Sequence, residues 1–294
     1  MTKLLKLTRH GLPILPLLEA LCLSACRAPD PASNNANKGG TGSDSRTASS
    51  GARGPARIEV TAEVANLLTQ IIKAYEELNM AELDGNIWAR FEMTDGEKEF
   101  TQKFHSAFHG PNQFKHVLEQ ELLIGSSGDK VFLYQNSANA FFETNVNQVS
   151  AGTLPPLVVQ LLQAQNPSLL MALARNPLAP LGMEIEQISR VEDAAVDGVS
   201  CPALSIKSVE ANFKVLMLVD PESKLLKRLR VDIGADDLKA GGEMGFKRVL
   251  TEVTYTTIKT APDFEPAFFD WSPPEGSERM SSLQEEGILK TKAD

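Results

Sequence analysis

Val60, Val64, Leu67, Leu68, Ile71, Ile72, Tyr75 and Leu78 recur at intervals of three and four, with Glu63, Gln70, Lys73 and Glu76 opposite them. That period predicts an amphipathic helix of about five turns, whose apolar stripe must be buried against a second element. The period then drops to two. Ile87, Ala89, Phe91 and Met93 alternate with Trp88, Arg90 and Glu92, and Asp95-Gly96 is a hairpin signal leading into Phe100, Phe104 and Phe108. The last spacing also suits a helix; the turn before it and Gly110-Pro111 after it favour a strand.

Further alternating runs cover Phe114 to Leu123, Val131 to Gln135 and Ala140 to Val146, with turn residues at 125–129 and at Asn136-Ser137. They predict an antiparallel meander. Pro155 to Arg175 interrupts it with two short helices separated at Asn166-Pro167. Strands resume at Met183 to Val191, Ala203 to Val209, Phe213 to Val219, Leu225 to Ile233 and Phe246 to Ile258, with Asp197-Gly198 and Asp220-Pro221-Glu222-Ser223 as turns. The sum is an α+β domain, one long antiparallel sheet with helices laid against one face.

The chain has 294 residues, 42% hydrophobic and 23% charged, enough to bury a sizeable core. Its first 25 residues read differently. Lys3, Lys6 and Arg9 precede a mostly apolar Gly11 to Ala25, a secretory signal too short to span a bilayer, although Glu19, Pro13 and Pro16 weaken the run. It ends in Leu23-Ser24-Ala25-Cys26, which resembles the lipobox of bacterial lipoproteins. The resemblance implies that Cys26 carries the lipid and becomes the new N-terminus; an ordinary cleaved signal with a chance Cys is the alternative. Arg27 rather than Asp after the Cys leaves outer-membrane delivery open.

Residues 27–57 contain no Val, Ile, Leu, Met, Phe, Trp or Tyr, and 24 of the 31 are Ala, Gly, Ser, Thr, Asn or Pro, so they predict a flexible linker. Such a coil averages roughly 30 Å end to end. The expected organisation is a signal peptide (1–25), a lipidated Cys with its linker (26–57), a folded domain (58–280) and a frayed tail (281–294).

The net charge of −9 becomes −11 once Lys3, Lys6, Arg9 and Glu19 are removed, which argues against nucleic acid as a partner. Of three Cys, only Cys201 remains if Cys22 is discarded and Cys26 acylated. No internal disulfide is then available, and Cys201 reads as a small buried hydrophobe.

Four motifs in order are similar to those of the lipoprotein-carrier superfamily, the LolA/LolB-like proteins. They are Pro111-Asn112-Gln113-Phe114, the stretch from Ser127 to Tyr134, the strand-turn-strand from Leu218 to Arg228, and Phe269-Asp270-Trp271-Ser272-Pro273-Pro274-Glu275-Gly276. The resemblance implies a strongly curved sheet, an incomplete β-barrel, with helices covering its concave face over an apolar cavity. The family's Arg before Pro-Asn, which would hold a helical lid shut, is Gly110 here, so a latch needs another residue or does not exist.

Ile87, Phe91, Met93, Phe104, Phe114 and Leu133 are the candidate cavity wall for an acyl chain, which needs apolar surface and few polar contacts. The alternative is that the same side chains meet the helices as a packed core. No nucleophile elbow, phosphate loop, His-Glu-x-x-His or calcium loop is present, and no cofactor is expected. His105, His109 and His116 lack an obvious carboxylate or thiolate partner and read as exposed sheet histidines, with no metal site expected. Asp95, Glu97 and Glu99 read as a solvated turn, Trp88 and Arg90 as outer-face residues.

The expected function is a non-enzymatic, lipid-anchored protein of the bacterial envelope, facing the periplasm from the outer or inner membrane. It would bind lipid or lipoprotein acyl chains as receptor or carrier beneath a movable lid at Pro155 to Arg175. Its partners are the membrane, through the N-terminal lipid, and an envelope protein that delivers or receives cargo. The alternatives are a ligand-free interaction or envelope-stress sensing module on the same fold, and a metal enzyme built on the three histidines.

Overall fold

A computed structural model describes residues 60–119, 121–146, 149–174, 185–208, 214–240 and 245–281. The signal segment, Cys26, the linker to residue 57, the tail from 282 and the predicted strand starts at Met183 and Phe213 lie outside these residues. Helix α1 spans Ala62–Glu76, shorter than the predicted stripe because Thr61 caps it, its Oγ1 accepting from the Val64 amide at 3.3 Å. Val64, Leu67, Ile71 and Tyr75 are buried, and Val60, ahead of the cap, is exposed.

Strands β1 (Met80–Met93) and β2 (Gly96–His109) form a hairpin paired without interruption from Met80–His109 to Met93–Gly96. β1 starts seven residues before the predicted Ile87, since Ala81, Leu83 and Gly85 continue its inward face. The predicted single run from Phe114 to Leu123 is instead a hairpin of β3 (Gln113–Leu118) and β4 (Leu122–Ser127). Its turn is made by Glu119 at φ 40° with no Gly or Pro to mark it. β5 (Lys130–Gln135) and β6 (Ala140–Asn145) follow, then helices α2 (Pro156–Gln165) and α3 (Pro167–Leu173), broken at Asn166-Pro167 as the sequence predicts.

The second half consists of β7 (Ile185–Val196), β8 (Val199–Ser208), β9 (Lys214–Val219), β10 (Leu226–Gly234), a short helix α4 (Ala235–Ala240), β11 (Phe246–Lys259) and β12 (Glu278–Arg279). Neither α4 nor β12 was expected from the pattern. Among the described residues twelve strands form one sheet in the order β12-β6-β5-β4-β3-β2-β1-β11-β10-β9-β8-β7, antiparallel except for the parallel β12–β6 pair. β12 and β7 end the sheet without meeting, so it is open. None of the described helices is long and apolar enough to cross a membrane.

Inward residues of β5 (Val131, Leu133) and of β8 (Leu204, Ile206) belong to one hydrophobic cluster with α1, α2 and α3. In a flat sheet strands so far apart in the order would be separated by roughly 40 Å. The sheet therefore wraps around the helices, which fill its concave face. Farther along the long central strands, Ala89, Phe91 and Val249 form a second cluster under Leu238 of α4. Val196, Cys201, Ala203 and Leu218 form a third on the outer face, where Cys201 is a buried free thiol as expected.

The chain from 260 to 281 straps the outer face. Trp271 stacks on Phe132 at 4.8 Å and meets Phe141 edge-on at 5.8 Å, and Phe264, Phe268 and Phe269 pack together at 4.9–5.2 Å. β12 then covers the β6 edge, where an unpaired ladder would otherwise be exposed. The family-like motifs hold this frame. Asn112 Nδ2 donates to the Gly128 carbonyl at 3.0 Å, Asp220 Oδ1 accepts from the Glu222 and Ser223 amides, and Asn139 Nδ2 donates to the Gly276 carbonyl at 2.9 Å.

Gly85 sits at a β1–β11 register shift with the Phe104 ring against it. A Cβ there would lie 2.4 Å from the Thr254 carbonyl oxygen and 2.5 Å from Phe104 Cζ. Gly85→Ala therefore overpacks the concave face and lowers stability by about 1–3 kcal/mol. A urea midpoint equal to that of the parent would contradict this packing.

Candidate functional site

The concave face carries one polar constellation within its apolar filling. Asn166 ends α2 and caps α3, accepting from the Leu169 amide at 3.0 Å with Pro167 in the first turn. The same Oδ1 accepts from the Tyr255 hydroxyl of β11 at 2.8 Å, and Nδ2 donates to Ser106 Oγ of β2 at 2.7 Å. Ser168 on α3 donates its amide to Tyr255 Oη at 2.9 Å, and its hydroxyl pairs with that of Tyr75 on α1 at 2.6 Å. Tyr75 Oη in turn accepts from the Leu226 amide of β10 at 3.1 Å.

The protonation pattern follows from the donors. Ser106 Oγ accepts from Asn166, so its hydrogen is available for His116 Nδ1 at 2.8 Å. The His116 ring is then the neutral Nε2–H tautomer, donating to Gln165 Oε1 at 3.1 Å. That orientation leaves Gln165 Nε2 buried without a hydrogen-bond partner. Burial, partly opposed by the Gln165 bond, lowers the His116 pKa from 6.5 to about 4. Burial likewise pushes the Tyr75 hydroxyl up to about 12, and Tyr255 well above its ordinary value. Both phenols stay neutral donors. Phe104 packs edge-on against Tyr255 at 5.5 Å and against the His116 ring at 5.6 Å, an aromatic floor under the network.

Of the six candidate cavity residues, Ile87, Phe104, Phe114 and Leu133 lie in the large cluster beneath the helices, each at most 3% exposed. Phe91, with Met93 packed against it, lies apart in the cluster under α4. Residues 156–173 supply the apolar filling opposite the wall, through Val158, Leu161, Leu162, Leu169, Leu170 and Leu173. Gly110 offers no side-chain donor; the polar ties between helices and sheet run instead from Gln165, Asn166 and Ser168 to His116, Ser106 and Tyr255.

His116 is not an exposed sheet histidine. It faces inward from β3 and is fully buried, whereas His105 and His109 face outward, so the three rings do not converge. The network escaped the sequence because its members are distant along the chain; the one signal was polar Ser106 and His116 at inward positions of otherwise apolar strands. Asp95 is exposed, while Glu97 and Glu99 pair outward with Arg90 at 2.7 Å and with Trp88 Nε1 at 2.7 Å.

No family model matches the sequence, and no curated protein matches it. Among solved structures the chain is similar to MucB, at 12% identity and a TM-score of 0.40, over 72% of this chain and 64% of MucB. It is similar to a LolA superfamily protein from Nitrosomonas europaea at 12% identity and TM-score 0.29, over 71% of this chain and 97% of that one. LprF from Mycobacterium bovis aligns at 8% identity and TM-score 0.36, over 74% of this chain and 98% of its own. The superfamily expected from the four motifs is among these structures. At such identities and TM-scores none of them assigns a site or an activity to this chain, and this chain spans less than two thirds of MucB.

Outside the fold the His116 ring titrates near 6.5, and inside it near 4. Its contribution is therefore complete above about pH 6.5 and is lost as the pH falls toward 4, on the order of 3 kcal/mol in all. His116→Gln, which keeps a donor and an acceptor, flattens this part of the stability profile measured by urea unfolding between pH 7 and 4. An unchanged slope in the variant would contradict the buried neutral ring.

Proposed function

We propose that this chain is a lipoprotein of the bacterial envelope, anchored through Cys26, that binds lipid or lipoprotein acyl chains on its concave face in place of α2 and α3. The observation that carries the reading is the makeup of that helix pair. Its inward side is almost wholly apolar, and its polar ties to the sheet are gathered at Gln165, Asn166 and Ser168. An acyl chain could satisfy the apolar wall as well as the helices do, each buried methylene contributing about 0.8 kcal/mol. Ile87, Phe104, Phe114 and Leu133 line the exchanged volume in this reading, with Phe91 and Met93 as an extension toward α4.

In this reading the protein acts as a binder without chemistry, held at the membrane through Cys26. A second reading has its own support: five of the six wall residues, all but Met93, are at most 3% exposed, as a ligand-free interaction module requires. Asn166→Ala separates the two. It removes the shared acceptor and donor at the latch, so acyl exchange predicts faster and greater uptake of a fluorescent fatty acid by the full chain. It also predicts co-purifying lipid seen by mass spectrometry and lost in Phe114→Glu. No uptake by parent or Asn166→Ala, and no lipid in either, would favour the interaction module.

A further inference from the structure

The outer face of the central strands carries a group that neither the polar network nor the concave wall uses. Asp84 on β1 lies directly opposite His105 on β2, and Glu82 projects from the same face of β1 two residues earlier. His105 Nδ1 is 2.7 Å from Asp84 Oδ1, and one donor atom from each of the three residues lies within 4.8 Å of the other two. Donors sharing one ion at 2.0–2.2 Å sit roughly 3 to 4 Å apart, so small side-chain rotations bring the set onto a single cation.

The backbone beneath is fixed on both sides, by the β2 ladder and by β11, where Glu82 pairs with Lys259 and Asp84 with Thr257. The β1–β11 register shift falls between Asp84 and Gly85, a feature that redirects adjacent side chains. Beside it opens a groove of about 590 Å³ bordered by Asp84, Asn86, Lys103, His105, Glu119 and Thr256. The groove leaves room for water or an exogenous anion at the remaining coordination positions.

The geometry points to a divalent transition-metal site of the Zn²⁺ class formed by Glu82, Asp84 and His105. One imidazole nitrogen and two carboxylates suit Zn²⁺ better than Ca²⁺ or Mg²⁺, which take all-oxygen sets. Lys259 Nζ now holds Glu82 Oε2 at 2.9 Å and is the cation that a metal must displace. This competition gives the site its signature: removing the lysine charge tightens metal binding, the opposite of what a structural ion pair would do.

The test titrates the full chain with Zn²⁺ against a chromophoric chelator. One equivalent is expected, weakened roughly tenfold or more by His105→Asn and by Glu82→Gln, tightened by Lys259→Met and unchanged by His109→Asn. The ring nitrogens of His105 should shift on metal addition in nitrogen-detected NMR. No binding, binding indifferent to His105→Asn, or equal losses in His105→Asn and His109→Asn would overturn the site.

Discussion

Three helices and four strands on the concave side are tied together by the need to pair the polar atoms around Asn166. Two buried side-chain amides, two phenols, two hydroxyls and an imidazole lose about 1–3 kcal/mol for each polar group left unpaired, and of their atoms only Gln165 Nε2 is without a partner. The partners come from α1 (Tyr75), β2 (Ser106), β3 (His116), the α2–α3 break (Gln165, Asn166, Ser168), β10 (the Leu226 amide) and β11 (Tyr255). Apolar packing would tolerate the helices in several registers. Directional hydrogen bonds to both sides of the β1–β11 junction fix one.

The same arrangement sets the helix pair apart in how it is held. α2 and α3 bury leucines and valines over a broad face, an interaction that any apolar partner of similar shape can replace. Their specificity resides in three polar residues at one bend. A structure held in this way separates the apolar packing of the pair from the polar ties that fix its position. The Gly85–Phe104 contact belongs to the same device, because the ring that lies on the glycine also supports Tyr255 and His116.

Much of this frame is legible in the chain. Alternation and turn signals located nine of the strands singly and β3 with β4 as one run, the three-and-four spacing located α1, and Asn166-Pro167 marked the break between α2 and α3. Where the reading failed, the physical signal was weak. Glu119 turns the chain with a positive φ that no glycine advertises, and α4 is a six-residue helix stabilised by packing against β11 and β10 rather than by a period of its own. The strap from 260 to 281 has aromatic residues without periodicity, whose partners lie on β2, β3, β5 and β6. The polar network was hidden for a different reason. Tyr75 and Ser168 are 93 positions apart and Tyr255 and Asn166 are 89 apart, so only the folded sheet brings them together.

Whether α2 and α3 give way to an acyl chain as a unit separates a lipid binder from a ligand-free module. Amide hydrogen exchange of the full chain, with and without palmitate, measures this directly. Exchange of acyl chain for helices predicts that added palmitate strips protection from residues 156–173 while the strand amides of β1, β2 and β11 keep theirs. Unchanged or increased protection of 156–173 at saturating palmitate would contradict it.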